Sequence, residues 1–164
     1  MLIKVLFTSF LSFLVYVSLV GSLGTDELIV GIIIAVIVGI VTRNLIVSDE
    51  RKILSPSRWL SAVRYLIVYW LYYEPLAHWD VIKRIFTMDV RPSIVRVPYS
   101  MTTEYGVMLV GNSITNTPGT VVVDVDEDKG YYYVHWISAP SVEEGFCYNN
   151  ISKGFEELVR RFLC

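Results

Sequence analysis

A membrane α-helical hairpin, then an interfacial or third membrane helix, then a small α+β domain is the fold class this sequence predicts. Three observations carry it. Lys4, Asp26, Glu27 and Arg43 are the only charges among residues 2–47. A polar link containing Pro56 follows, and residues 91–164 return to the mixed, turn-punctuated pattern of a globular chain. The 164 residues are 54% hydrophobic and 18% charged, with a mean hydropathy of +0.51. Soluble domains run to about 45–50% apolar and about 25% charged residues, so a wholly soluble enzyme is excluded. A net charge of −2 offers no basic field for nucleic acid. Cys147 and Cys164 are too few for a disulfide scaffold or a zinc site.

Residues 1–47 are assigned to the transmembrane hairpin. Leu2–Gly21 carries Lys4 as its only charge, and its twenty residues at about 1.5 Å rise span about 30 Å, a hydrocarbon core. A cleaved secretory signal is the alternative, since Val20 and Ser22 form a passable cleavage pattern. Leu28–Val41 is free of charge, with Asp26 and Arg43 placed to snorkel. Basic residues lie before the first span and after the second (Arg43, Arg51, Lys52, Arg58), which puts both ends of the hairpin in the cytoplasm of a multi-pass cell-membrane protein. Gly31, Ala35 and Gly39 recur every fourth residue on one helix face. Such a groove admits a close helix, either the first span or a neighbouring chain. Neither span has an Asp, Glu, His or Arg near its centre, so the hairpin has no proton relay of its own.

Residues 48–90 comprise the polar link, Ser48 to Ser57, and an amphipathic segment. Tyr65, Tyr69, Tyr73, Asp80, Lys83, Arg84 and Thr87 gather on one side at 100° per residue, which suits a helix along the lipid headgroups. Pro75 should kink it. The alternative is a third span from Val63 to Ile82. In that case Glu74 and His78, one turn apart, become membrane-buried and join a possible ion path; otherwise they are solvated.

Residues 91–164 read as a cytoplasmic domain of β-α-β-β-α order. Ile94–Val97 is a short strand and Thr102–Ser113 a helix with Glu104 in its first turn. After the Pro118-Gly119 turn, Val121, Val123 and Val125 alternate with Val122, Asp124 and Asp126. Asp128-Lys-Gly130 closes a hairpin and Tyr131–Ile137 returns. Ser141-Val-Glu-Glu144 is a capping box for a last helix. Ile151, Phe155, Leu158, Val159 and Phe162 are its apolar stripe, while Gly145, Asn149-Asn150 and Gly154 should break or delay it.

Tests for chemistry end negatively, with no catalytic residue, cofactor or metal predicted. Asp124-Val-Asp126-Glu-Asp128 opens like a calcium loop, but Lys129 and His135 stand where Gly and Glu are required. His135, beside Trp136, has only His78 as a fellow histidine, so it is expected to make a structural hydrogen bond. Cys147 has no histidine nearby in sequence to activate it. Asn112-Ser113-Ile-Thr115-Asn-Thr117-Pro118-Gly119-Thr120 clusters polar side chains where a helix gives way to a strand. It is expected to be a hydrogen-bonded corner or a contact surface for a neighbouring subunit.

That nonapeptide, the valine strand, and Tyr133-Val-His135-Trp136 behind a two-helix hairpin together resemble the MnhE-type subunits of the Mrp/Mnh-type multisubunit Na+/H+ antiporters. The resemblance runs through nearly the whole chain, and Asn116 departs from it where relatives carry an apolar residue. It implies a small non-catalytic subunit of an assembly exchanging sodium ions for protons, with other antiporter-module subunits and membrane lipid as partners. Related subunits occur in archaeal membrane-bound hydrogenase and sulfane-sulfur reductase complexes. The absence of Gln tilts the reading towards such a thermophilic complex.

Overall fold

The computed structural model describes residues 2–46 and 54–163. Most of the link from Ser48, including Arg51 and Lys52, and also Cys164, lies outside the described residues. The chain divides into two compact units, Met1–Ser55 and Pro56–Cys164, so the segment read as an amphipathic helix belongs with the second unit.

The first unit is a pair of helices, α1 (Leu2–Val20) and α2 (Thr25–Ile46), packed along each other. At 19 and 22 residues both are long and apolar enough to cross a membrane. Asp26 and Glu27 sit in the first turn of α2 and Arg43 in its last, each at the end of the helix dipole it complements. Small residues let the backbones close up. A Cβ on Gly31 would stand 2.6 Å from the Tyr16 ring, and one on Gly39 would meet the side chain of Ser9 and its backbone N at 2.8 Å. Ala35 is buried between them. Gly31, Ala35 and Gly39 therefore face α1. Thr8 is 0% exposed, and its hydroxyl lies 2.8 Å from the Lys4 carbonyl and 3.1 Å from that of Gly39.

The second unit begins with a helix running from 56 to 87 in three parts. These are α3 (Pro56–Val68), a π-helical segment (Tyr69–Tyr73) and α4 (Glu74–Thr87). Pro75 sits in the first turn of α4, where its missing N–H costs little, and the wider π turn takes up the rest. Then come β1 (Ser93–Pro98), α5 (Glu104–Asn116), β2 (Thr120–Asp126) and β3 (Tyr131–Trp136). The chain ends with α6 (Glu144–Cys147), a second π-helical segment (Tyr148–Ser152) and α7 (Lys153–Leu163). The three strands form an antiparallel sheet in the order β1-β3-β2.

Val95, Val97, Tyr132 and Val134 form the buried sheet face, and Val110, Ile114, Ile151, Phe155, Leu158 and Val159 complete the core from the helices. Tyr65 and Tyr69 enter the same core from the long helix. Their rings lie 5.6 Å from Phe162 and 6.0 Å from Phe155.

Several boundaries and faces differ from the sequence reading. Helix α5 starts at Glu104, because Thr103 is its cap and accepts from the Gly106 N–H at 3.2 Å; it then runs three residues past Ser113. Ser141 is not the N-cap of the last helix: its hydroxyl accepts from the Glu143 N–H at 3.1 Å, and the helix begins at Glu144. That helix is interrupted at Tyr148–Ser152, over the expected Asn pair. The valine alternation in β2 fails at a bulge, since Val122 pairs with Val134 but Asp124 with Tyr133, leaving Val123 unpaired. Val122 and Val125 are therefore in register with the buried Val134 and Tyr132, but only Val122 is half-buried, while Val121, Val123 and Val125 are exposed. Along the outer side of β2, the Val122 N–H donates to the Thr115 hydroxyl at 3.1 Å and the Val125 N–H to Asp124 Oδ1 at 2.9 Å.

Replacing Gly39 by Leu forces α1 away from α2, since the added side chain collides with backbone. We expect a loss of about 1–3 kcal/mol of hairpin stability, read as a lower melting temperature of the detergent-solubilised chain. Val123→Thr, at the exposed bulge, serves as the neutral control.

Candidate functional site

The polar nonapeptide and the long helix meet. Asn112 to Asn116 form the last turns of α5, Thr117 is its C-cap, Pro118 and Gly119 turn the chain, and Thr120 opens β2. The hydroxyls finish the helix. Ser113 Oγ donates to the Leu109 carbonyl at 2.7 Å, Thr117 Oγ1 to that of Ser113 at 2.6 Å, and Thr120 Oγ1 to that of Ile114 at 2.7 Å. Carbonyls at a helix C-terminus otherwise lack partners, so this run of small polar residues closes α5. Gly119 has φ +96°, and a Cβ there would press on Ile137 at 3.2 Å and on Val81 of α4 at 3.4 Å. The corner is thus seated against the long helix.

Two tyrosines tie the same helix to α5. Tyr65 Oη lies 2.6 Å from Ser113 Oγ. Tyr69 Oη accepts from Asn116 Nδ2 at 2.9 Å and donates to Glu74 Oε1 at 2.5 Å. Glu74 is 7% exposed. Its second oxygen lies 3.3 Å from His78 Nδ1, which is also 2.8 Å from the Glu74 carbonyl. Residues five apart in a regular α-helix point about 140° apart, so Tyr69 reaches Glu74 only because the π turn intervenes.

This arrangement corrects the stripe inferred from the sequence. Tyr65 and Tyr69 do not face headgroups; they are buried against the domain, because each phenol finds a polar partner there. The opposite side of the helix carries Trp59, Leu66, Ile67, Trp70, Leu71 and Trp79, all exposed. His78 is exposed while Glu74 is not, so the pair is only half solvated. The departure at Asn116 has a function in packing, since its carboxamide bonds Tyr69. The sequence reading did not single out Tyr65, Tyr69 and Asn116 as a network. Pro75, one residue past Glu74, is the one sequence signal of an irregular turn there.

His135, Trp136 and Cys147 lie outside this network. His135 lies between Ile94 and Val121 on the open face of the sheet. Among the described residues its imidazole has no hydrogen-bond partner, so the structural bond expected of it is not made. Trp136 stacks with Phe146 at 6.4 Å between centroids. Cys147 is fully buried, with Sγ 3.5 Å from the Ser141 carbonyl. Burial pushes its thiol up, and Glu143 and Glu144 add to the shift. Among the described residues no group of three His, Cys, Asp or Glu side chains is placed to hold a metal ion.

Residues 9–162 match the family of Na+/H+ ion antiporter subunits designated MNHE. The chain is 38% identical over 71 residues to the E-type Na+/H+ antiporter subunit of Alkalihalophilus pseudofirmus, covering 42% of this chain and 45% of that one. It is 32% identical over 101 residues to the E1-type subunit of Staphylococcus aureus strain RF122, covering 58% and 60% respectively. The chain thus spans about half the length of the curated relatives it matches. Among solved structures it is similar to a chain of the membrane-bound sulfane sulfur reductase, an archaeal respiratory membrane complex. There the identity is 31% and the TM-score 0.77, with 96% of this chain and 97% of that chain covered.

Tyr69→Phe leaves Glu74 Oε1 without its phenol donor and Asn116 without its acceptor. Unfolding by denaturant should show a loss of about 1–3 kcal/mol, with the secondary structure unchanged by circular dichroism. A raised, buried thiol is a poor nucleophile. In a Cys164→Ser background, Cys147 should resist maleimide until the domain unfolds, which mass spectrometry of the alkylated chain would follow.

Proposed function

The chain belongs to the Na+/H+ ion antiporter subunit family MNHE, and from that premise we propose that it is a non-catalytic membrane subunit of a cation/proton-exchanging assembly. The observation that carries this reading is the composition of the hairpin. Its two helices are long and apolar enough to cross a membrane, yet neither holds an acidic, histidine or arginine side chain near its middle. An ion crossing hydrocarbon needs such groups or a water-lined path, so the translocating residues come from other chains. Gly31, Ala35 and Gly39 hold the two spans together, and the hairpin anchors the domain beside those chains.

The domain lies in the cytoplasm, as the basic residues flanking the spans favour. Helix 56–87 lies along the membrane interface with its outer face, including Trp59, Trp70 and Trp79, towards lipid. The inward tyrosines support this reading over a third span, because the helix already has one face buried on its own domain. Glu74 braces that junction; it is not a step in an ion path, since its oxygens are engaged by Tyr69 and His78. The Asn112–Thr120 corner and the His135–Trp136 pair position the domain surface offered to adjacent subunits. The similarity to the respiratory reductase chain covers 96% of this chain, which favours an antiporter-like module of a respiratory complex as the parent assembly.

Purification from native membranes in mild detergent should recover this chain with several membrane subunits, and recovery of a stable monomer would overturn the proposal. In the assembled complex, Glu74→Gln should lower thermal stability while leaving the rate of sodium-dependent proton movement in vesicles unchanged. A single-tryptophan variant retaining Trp70 should be quenched by lipids brominated near the headgroup more than by lipids brominated at the chain end. The reverse order would favour a third span.

A further inference from the structure

A cleft of about 520 Å³ opens between α4 and the wall made by the Thr117–Thr120 corner and Trp136. Its lining changes character along α4. Leu76 and Trp79 belong to the exposed apolar side of the helix and carry that side into the cleft. Pro118 and Trp136 face them across it. One helical turn further on stand Lys83 and Arg84. Arg84 is fixed in place: Nε and Nη2 donate to the two Asp80 oxygens at 2.7 and 3.2 Å, and Nη1 donates to the Asp89 carbonyl at 3.2 Å. Lys83 makes no ion pair among the described residues. The Thr117 and Thr120 hydroxyls are turned to α5 carbonyls.

We propose that this cleft holds a phospholipid with an anionic headgroup, its phosphate at Lys83 and its acyl chain along Leu76 and Trp79. The inference rests on the interfacial placement of helix 56–87. Asp80 and Arg84 cancel in charge, which leaves the Lys83 ammonium to match a single phosphodiester charge. Leu76 and Trp79 offer an apolar wall and Lys83, one turn from Trp79, a cation, so one cleft presents both halves that a lipid molecule needs. A free anion has no use for the apolar half, and a neutral lipid leaves Lys83 unanswered. The corner residues that mark the family resemblance thereby acquire a ligand to shape: Pro118 and Trp136 form the wall that an acyl chain lies against.

Native mass spectrometry of the full chain in detergent tests this, with phosphatidylglycerol, phosphatidylcholine or inorganic phosphate added. Phosphatidylglycerol should be retained preferentially. Lys83→Ala should weaken that retention roughly fivefold, Lys83→Arg should restore it, and Lys129→Ala on the distant β-hairpin should change nothing. Equal retention by Lys83→Ala would overturn the proposal, as would displacement of the lipid by phosphate alone, which marks a free-anion site. Photo-leucine at position 76 in the purified complex should crosslink to lipid; crosslinking to polypeptide would identify a protein occupant and overturn the proposal. Trp70 quenching reports the interfacial placement separately, so lost lipid selectivity with quenching intact defeats the cleft alone.

Discussion

A carboxylate withdrawn from water has to be met by hydrogen-bond donors, and the buried Glu74 sets that demand for the long helix. Left bare, such a group costs several kcal/mol or gives up its charge. The Tyr69 phenol answers it, and reaches it only through the widened π turn between them. Once that turn is in place, the rotation of the long helix about its axis is fixed. Tyr65 then meets Ser113, Tyr69 meets Asn116, and Tyr73 lies against Phe155 with ring centroids 4.6 Å apart. Gly154 is required at the same junction, because a Cβ there would collide with the Tyr73 hydroxyl. Everything apolar on the other side of the helix is left facing outwards.

In the hairpin that demand is met at Thr8 but not at Ser9, whose hydroxyl is buried without a hydrogen-bond partner among the described residues. Thr8 is buried, and its hydroxyl has carbonyls of its own helix and that of Gly39 within reach. Polar atoms between membrane helices are tolerated where backbone can receive them, and small residues make that approach possible. Nothing ionisable is added at the centre. The contacts between the two helices are accordingly those of close packing, with Gly31, Ala35 and Gly39 against α1.

Much of this was legible in the sequence, because some signals are local. The two apolar runs, the Pro118-Gly119 turn, the Gly130 hairpin turn (φ +73°) and the stripe of Ile151, Phe155, Leu158 and Val159 each follow from spacing or backbone preference. What was not legible depends on partners distant in the chain. A tyrosine stripe reads alike whether it meets headgroups or a domain; only Ser113 and Asn116, more than forty residues away, decide between them. The bulge at Val123 inverted the faces of half a strand without altering its composition. Of the candidate site, the Asn112–Thr120 corner could be read as a helix stop, whereas its seat against Val81 could not.

Edge strands ordinarily offer a free ladder of amides to passing chains. On β2 two of these amides are already taken, Val122 by Thr115 and Val125 by its neighbour Asp124, and the bulge between them puts the strand out of step. A fourth strand arriving from another polypeptide would find no regular register on that side. The domain is thereby shielded from runaway sheet extension, and any association along this edge is left to side-chain shape.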